Sequence, residues 1–362
     1  MEPQVLMIGP VTRSGGVAIH TRELSKALKK AGVHVVLYNS SFEGNYPKLI
    51  VNVIKIYKRS LGQFYFSITN RNAYNIIHVQ ASGGLPGFLN AITGVLVAKF
   101  LKKILIISFH HGDVVKFLNK YILIMKLVVQ YANRFILVSD TQKETFIKFR
   151  LSIDNLTIVP NGFDSSIFKT LDTKYARKKL NIAENVPSLV NVANLEEIKG
   201  QKYLIESMKI ILTARQDVML YIIGQGPLKC ELQSLIDMNG LQNNVLLIGV
   251  KSHDEIPLWM NACDVFVLPS LNEGNPTVMF ESLGCGKPFV GTNVGGIPEI
   301  IINEKLGILV EPKDVVGLTN AILRALCTMW DDEYILNYAK QFTWDIITER
   351  TMEVYGEVLK ER

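Results

Sequence analysis

The chain has 362 residues, 48% hydrophobic and 20% charged, with a formal net charge of +6. That is apolar material for a folded protein of roughly two or three domains with ample core. The mild positive balance suits phosphorylated substrates or an anionic membrane surface, and with no Arg-rich run and no zinc or RNA-binding signature nucleic acid is not an expected partner.

Cys230, Cys263, Cys285 and Cys327 are scattered without a CxxC pair. They read as small core residues of a reducing compartment. Met-Glu-Pro enters a strand almost at once, so no signal peptide is expected. Tyr121 to Leu137 is strongly apolar, but Lys126, Gln130, Asn133 and Arg134 interrupt it. It falls short of the ~20 apolar residues of a membrane span.

In chain order, Val5 to Ile8 reads as a short buried strand. A loop ending Ser14-Gly15-Gly16 follows, then a helix from Val17 to Lys30 and a strand from Val33 to Tyr38. This is a βαβ start with a glycine pair at the helix N-terminus, where a ligand can approach the backbone closely. Its glycines do not fit G-x-G-x-x-G. The region from Asn39 to about Asn75 is less regular. Lys48, Lys55, Lys58 and Arg59 form the nearest thing to a basic patch there, and Leu49 to Leu61 has an amphipathic reading. A solvated helix face is the simpler account of it.

Ile76 to Val79 is a strand running into Gln80-Ala81-Ser82-Gly83-Gly84, and Leu85 to Phe100 is a helix. Ile104 to Phe109 is the next strand, with His110-His111-Gly112-Asp113 at its tip. Strand tips of parallel sheets are where ligands bind in doubly wound folds. Phe135 to Val138 and Leu156 to Val159 are further strands, the second leading to Pro160-Asn161-Gly162-Phe163-Asp164. Ser165 to Asn185 is polar and charged, and a domain boundary is expected there.

A second α/β run begins at Leu189 to Ala193, followed by Asn194-Leu195-Glu196-Glu197-Ile198-Lys199-Gly200 and a helix to about Ala214. A cation at a helix start opposes the dipole unless an anion is near, which singles out Lys199. Val218 to Ile223 ends in Gly224-Gln225-Gly226-Pro227, and Val245 to Ile248 ends in Gly249-Val250. A strand from Val265 to Leu268 then meets Pro269 and a polar turn, with Pro276 in the first turn of a helix that stops at Gly284 and Gly286. Open amides at that helix start make an anion site beside a strand tip. Glu273 lies in the turn and Glu281 eight residues on, inside the helix. They can hold hydroxyls of a ligand whose phosphates sit on the amides. Taken alone, two acids at this spacing equally describe a solvated helix face. Phe289 to Thr292 and Leu306 to Val310 complete the strands, and a final helix runs to Lys360.

The stretch Pro269 to Pro288 resembles the donor-binding signature of retaining glycosyltransferases of the GT-B architecture, family 4, whose pattern is Glu, seven residues, Glu. The resemblance extends to Gly15-Gly16, to His110 with Gly112 and Asp113, to Pro160-Asn161-Gly162-Phe163-Asp164, to Lys199-Gly200, to Gly224-Gln225-Gly226-Pro227 and to Gly295-Gly296-Ile297-Pro298-Glu299. It implies two Rossmann-like doubly wound parallel-sheet domains, 1–168 for the acceptor and 169–340 for the nucleotide-sugar donor, with an interdomain cleft. Residues 341–362 would cross back to the first domain. It further implies that Glu273 touches the donor sugar and Glu281 the ribose, and that Lys199 pairs with the diphosphate. His110 would contact the sugar or orient reacting groups. Gly15, Gly16, Asn194, Gly224, Val250, Asn275, Pro276 and Thr277 would line the donor and nucleotide. Asn194 stands where Arg is usual in the family, which removes one fixed charge from the phosphate site.

The expected function is a retaining, cytoplasmic hexosyltransferase that uses a UDP- or GDP-linked sugar and a saccharide or lipid-linked acceptor in polysaccharide or glycolipid biosynthesis. Contact with the inner membrane face is an expectation resting on Lys48 to Leu61. No cofactor is expected, and metal is expected to be dispensable, since no Asp-x-Asp stands at a strand tip. Two alternatives remain: a non-catalytic nucleotide-sugar-binding subunit, for which Asn194 speaks, and a UDP-sugar 2-epimerase on the same fold, which would need a different acid/base set.

Overall fold

The computed structural model describes every residue except Met1, Arg13, Ser14, Glu43, Asn45, Gly83 and Arg362. Ser14 and Gly83, named above in the loops after the first and third strands, therefore lie outside the described residues. The chain forms two compact units, Met1–Gly162 with Trp344–Arg362, and Phe163–Thr343. Each carries a six-stranded sheet. All strand pairs are parallel.

In the first unit the strands are β1 (Gln4–Gly9), β2 (His34–Asn39), β3 (Ile76–Ser82), β4 (Ile104–His110), β5 (Arg134–Leu137) and β6 (Leu156–Ile158), in the order β2-β1-β3-β4-β5-β6. Helices α1 (Gly16–Lys30), α2 (Lys48–Tyr57), α3 (Gln63–Thr69), α4 (Leu85–Leu101), α5 (Val114–Tyr131) and α6 (Asp140–Lys148) connect them. The strands read as continuous apolar runs because helices cover both faces of a parallel sheet. Val5, Leu6, Met7 and Ile8 are all 0% exposed. Helix starts are set locally: Asp113 Oδ1 accepts from Lys116 N at 3.0 Å and Ser139 Oγ from Gln142 N at 3.3 Å.

Residues 48–69, expected to be less regular, are helical almost throughout. A single π-helical turn, Lys58–Gly62, joins α2 to α3. The expected basic patch is partly turned inward: Lys58 Nζ donates to Ser41 O at 2.6 Å, and buried Arg59 donates to Pro86 O at 2.8 Å. The outer face of α2 is apolar rather than solvated by charge, with Leu49, Val53 and Ile56 exposed at helical spacing. Tyr121 breaks helical geometry inside α5. Among the described residues, no helix is long and apolar enough to cross a membrane.

The second unit holds β7 (Ser188–Val192), β8 (Met219–Ile223), β9 (Val245–Gly249), β10 (Val265–Leu268), β11 (Phe289–Thr292) and β12 (Gly307–Val310), in the order β12-β11-β10-β7-β8-β9. Its helices are α7 (Thr173–Leu180), α8 (Gln201–Ala214), α9 (Lys229–Met238), α10 (Ile256–Ala262), α11 (Thr277–Gly284), α12 (Ile297–Ile300), α13 (Val315–Cys327) and α14 (Asp332–Ala339). The polar stretch Ser165 to Asn185 lies within this unit and supplies α7 and the buried Phe168. Pro276 precedes α11 as its cap residue rather than sitting inside the first turn. Gly284 does more than stop that helix. A Cβ there would stand 2.2 Å from the Phe163 ring, so the ring packs directly on its backbone.

The last helix, α15 (Trp344–Lys360), belongs to the first unit. Trp344, Ile347, Val354, Tyr355 and Val358 join Val5, Met7, Leu24 and Ile104 in one apolar cluster. Of the cysteines, only Cys263 and Cys285 are core residues; Cys230 and Cys327 are exposed on helices, which corrects the expectation of four buried thiols.

Candidate active site

In the second sheet the chain runs outward in opposite directions from β7 and β10, which lie side by side. The strand order therefore reverses at these two tips, the topological position where open parallel sheets take ligands, and the loops after the two strands meet there. Lys199 ends a 3-10 turn after β7, and Glu273 lies in the loop after β10. Lys199 Nζ is 2.7 Å from Glu273 Oε1, and Ser270 Oγ donates to the same oxygen at 2.7 Å. Glu273 is only 8% exposed. A buried carboxylate survives when it is paired and hydrogen-bonded, and both conditions are met here.

Backbone contacts stitch three loops around this pair. Leu271 N donates to Ile198 O at 2.7 Å, and Gly296 N donates to Gly274 O at 2.9 Å. Two glycines make the approach feasible. Gly200 has φ +67° and a Cβ there would stand 2.0 Å from Pro269 O; Gly295 has φ +54° and a Cβ would stand 1.7 Å from Glu273 O. No side chain other than glycine fits either position. The Gly-Gly-x-Pro-Glu loop thus clamps the backbone of Glu273 directly.

Glu281 is on α11 and is 4% exposed. Its Oε1 accepts from His253 Nε2 at 3.1 Å, and the His253 ring meets Phe168 edge-on at 5.0 Å. So neither acid decorates a solvated helix face. Asn275 and Thr277 are buried at the start of α11, next to Pro276. That start has no side-chain cap and no acid in its first turn, so its first amides lack an intrahelical partner. Asn194 is exposed at the tip of β7, its carbonyl accepting from Gln201 Nε2 at 2.9 Å. Gly224 N donates to Gly249 O at 2.9 Å across the tips of β8 and β9, and Val250 beside them is 58% exposed. Lys199, Glu273, Asn275, Pro276 and Thr277 are therefore gathered at the β7 and β10 tips. Gly224 and Val250 lie farther along the same sheet edge.

In the first unit the corresponding parting of strands is between β1 and β3. Gly15 caps α1 with φ +135°, and Cβ atoms built at Gly15 and Gly16 meet nothing within 4 Å. His110 stands at the tip of β4, partly exposed. Its Nε2 is 2.8 Å from Gln80 Oε1, and its ring centroid is 4.3 Å from that of buried His20. Gln80 Nε2 in turn lies 3.1 Å from His78 Nε2, and His78 Nδ1 lies 2.7 Å from Tyr355 OH. Desolvation pulls His78 to a pKa of about 3 and His110 to about 4, and pushes His20 well below the ordinary histidine value. The Asn161 side chain opposes this at His20 and His110 by hydrogen bonding to the rings, but burial dominates. His111 turns the other way, into Phe109 and Phe117, with its carbonyl accepting from Gln142 Nε2 at 2.8 Å.

The sequence reading missed His20, Gln80, Ser270 and His253 as members of these clusters. His20 had a signal, being one helical turn beyond Gly16. Asn161 was read only as a turn residue. Among the described residues, no group of three His, Cys, Asp or Glu is arranged to hold a metal ion.

Comparison with known proteins bears on both halves. Residues 14–167 match the family model described as Glycosyltransferase Family 4, and residues 172–342 match Glycosyl transferases group 1. The chain is 26% identical over 369 residues to the phosphatidylinositol N-acetylglucosaminyltransferase GPI3 subunit of Saccharomyces cerevisiae, covering 95% of this chain and 80% of that protein. Sucrose-phosphate synthase from Thermosynechococcus elongatus superposes with a TM-score of 0.83 at 20% identity, covering 100% of both chains. HepE of Anabaena, solved in complex with UDP, gives 0.77 at 20% identity, covering 99% of this chain and 100% of that one. With its two six-stranded parallel sheets and both family models matched in order, the chain belongs to the family 4, group 1 glycosyltransferases of GT-B fold.

Proposed function

We propose that this transferase is a retaining enzyme that moves a hexosyl group from a UDP- or GDP-linked sugar to a saccharide or lipid-linked acceptor. The observation that carries the reading is the Lys199–Glu273–Ser270 cluster at the tips of β7 and β10, with the buried Glu281 on the helix that follows β10. A diphosphate arriving at these tips takes Lys199 and the first amides of α11, which frees Glu273 for the sugar hydroxyls. Glu281 holds the ribose. UDP is the first nucleotide to test, because it is the ligand in the similar HepE structure.

In the proposed chemistry the bond from the anomeric carbon to the phosphate oxygen breaks as the acceptor oxygen attacks from the same face. The departing phosphate oxygen takes the acceptor proton. Lys199 and the helix amides stabilise the charge that develops on the diphosphate, a form of preorganised electrostatics. Glu273 positions hydroxyls and forms no covalent bond. His110 is neutral at pH 7, given a pKa near 4, and acts as a hydrogen-bonding group without charge. The reaction proceeds without a metal ion. NMR of the first-formed product from an α-linked donor tests this: an α-linked product is expected, and a β-linked product would overturn retention.

A lipid-linked acceptor at an anionic membrane is the second part of the proposal. Residues 44–139 contain twelve Lys and Arg and a single acid, Asp113. On the same unit Leu49 (76% exposed), Phe100 (68%) and Leu123 (74%) stand out on α2, α4 and α5, with Lys99, Lys116, Lys120 and Lys126 exposed nearby in sequence. Apolar side chains beside lysines suit the boundary of an anionic bilayer.

A further inference from the structure

Gln80 is fully buried and is not part of any motif noted above. It bridges His110 and His78, and an amide bridge has a direction, since one end accepts and the other donates. Here the direction is set by a third atom. Gln80 Nε2 is 3.2 Å from Met7 Sδ, a thioether sulfur that can accept a hydrogen bond but never donate one. The amide nitrogen must therefore lie on the Met7 and His78 side, and the amide oxygen on the His110 side. Gln80 Oε1 can only accept, so the His110 atom facing it at 2.8 Å must be Nε2–H.

The same logic continues inward. His78 Nε2 faces two donors, the Gln80 amide at 3.1 Å and the Ser108 hydroxyl at 2.8 Å. It is then the acceptor nitrogen, and His78 Nδ1–H donates to Tyr355 OH at 2.7 Å. Read from donor to acceptor, the chain runs His110, Gln80, His78, Tyr355 without a mismatch.

We propose that Gln80 is a positioning residue that fixes His110 as its Nε2–H tautomer, with Nδ1 the acceptor nitrogen of a ring that the Asn161 side chain also hydrogen-bonds. The tether reaches through His78 to Tyr355 on α15, so the imidazole is held by the far end of the chain as well as by its own strand. This deepens the reading of His110 as a sugar-facing group and rests on it.

The test is long-range proton–nitrogen NMR of the full-length protein labelled with nitrogen-15 histidine, at pH 7, with kinetics on the same samples. The wild type is expected to show His110 as Nε2–H; an Nδ1–H signal there overturns the proposal with no variant needed. Gln80→Met keeps the side-chain shape but removes the acceptor. It is expected to give a mixture of His110 tautomers and to lower kcat on the order of ten- to a hundredfold with little change in donor KM. Gln80→Glu keeps an acceptor toward His110 and is expected to retain the Nε2–H form. If Gln80 serves only to fill space, the methionine variant keeps both the tautomer and the rate, which contradicts the proposal. His110→Ala separates the two ideas: full activity in that variant removes the role of His110, while the tautomer spectra judge Gln80 on their own.

Discussion

Lys199 Nζ and Glu273 Oε1 are 2.7 Å apart, so the group proposed for the diphosphate and the group proposed for the sugar hold each other. Both side chains are largely buried, at 24% and 9% exposure. A ligand that carries negative charge and hydroxyls together can replace this pair with two better-matched ones. A ligand with only one of them leaves a charge behind in a poorly solvated place.

Substitution at the pair follows from this. Lys199→Ala and Glu273→Ala are each expected to lower kcat by about a hundredfold or more. Glu273→Gln keeps an acceptor for Ser270 but releases Lys199, so it is expected to bind free nucleoside diphosphate at least as tightly as wild type while turning over slowly. Residues that act as a unit are not additive. The double alanine variant is therefore expected to be little worse than either single one, by steady-state kinetics.

Gly295 is a structural clamp on Glu273. Gly295→Ala must accommodate both φ +54° and a carbonyl oxygen 1.7 Å from the new Cβ. A Tm several degrees lower and a loss of activity are expected, measured by thermal unfolding and turnover. Gly16→Ala is the control, because its Cβ meets nothing within 4 Å. It is expected to leave Tm within a degree or two, so that any change in donor KM there reports on the ligand.

Phe163 on Gly284 gives a packing test. Gly284→Ala is expected to destabilise the second unit by about 1–3 kcal/mol through overpacking. Phe163→Leu added to it is expected to recover part of that loss in a denaturant titration. Equal, additive losses would show that the two sites do not interact.

The histidine cluster makes the first unit acid-sensitive. His78 and His110 have folded values of about 3 and 4, below the ordinary 6.5. The unfolded chain therefore binds protons first as pH falls. Their contribution is fully present above about pH 6.5 and is lost as the pH falls to about 4 for His110 and about 3 for His78, with a slope of up to ~1.4 kcal/mol per pH unit for each histidine. The Tm is expected to drop over this window, and less steeply in His78→Asn, which cannot titrate. Identical slopes would mean that His78 is not held neutral.

For the proposed membrane contact, co-sedimentation with vesicles containing phosphatidylglycerol is expected to retain the wild type. Leu49→Glu with Leu123→Glu is expected to release most of it. Retention that is unchanged by the pair would place the contact elsewhere.

The strands, their order of motifs and the two carboxylates were legible because each depends on local pattern. An apolar run between turn residues suffices for β10, and a proline and open amides suffice for the start of α11. Between 48 and 69 the helical reading of Leu49 to Leu61 holds, but the π-helical turn, α3 and the apolar outer face of α2 were not legible, because an apolar stripe is expected to face a core. The partners of the site residues were not legible either. His253 reaches Glu281 across 28 positions and Gln80 reaches His110 across 30, distances that only the register of parallel strands and their loops determines. Arg59 shows the converse: its charge suggested a surface patch, yet its guanidinium is buried against Pro86 O.

The most direct test of the donor site is calorimetric titration of the purified protein with UDP, GDP and ADP, repeated with Glu281→Ala. Selective binding of UDP or GDP by the wild type, lost or weakened at least tenfold in the variant, is the expected result. Binding that Glu281→Ala leaves unchanged, or no binding of any of the three, would contradict the placement of the nucleotide on α11.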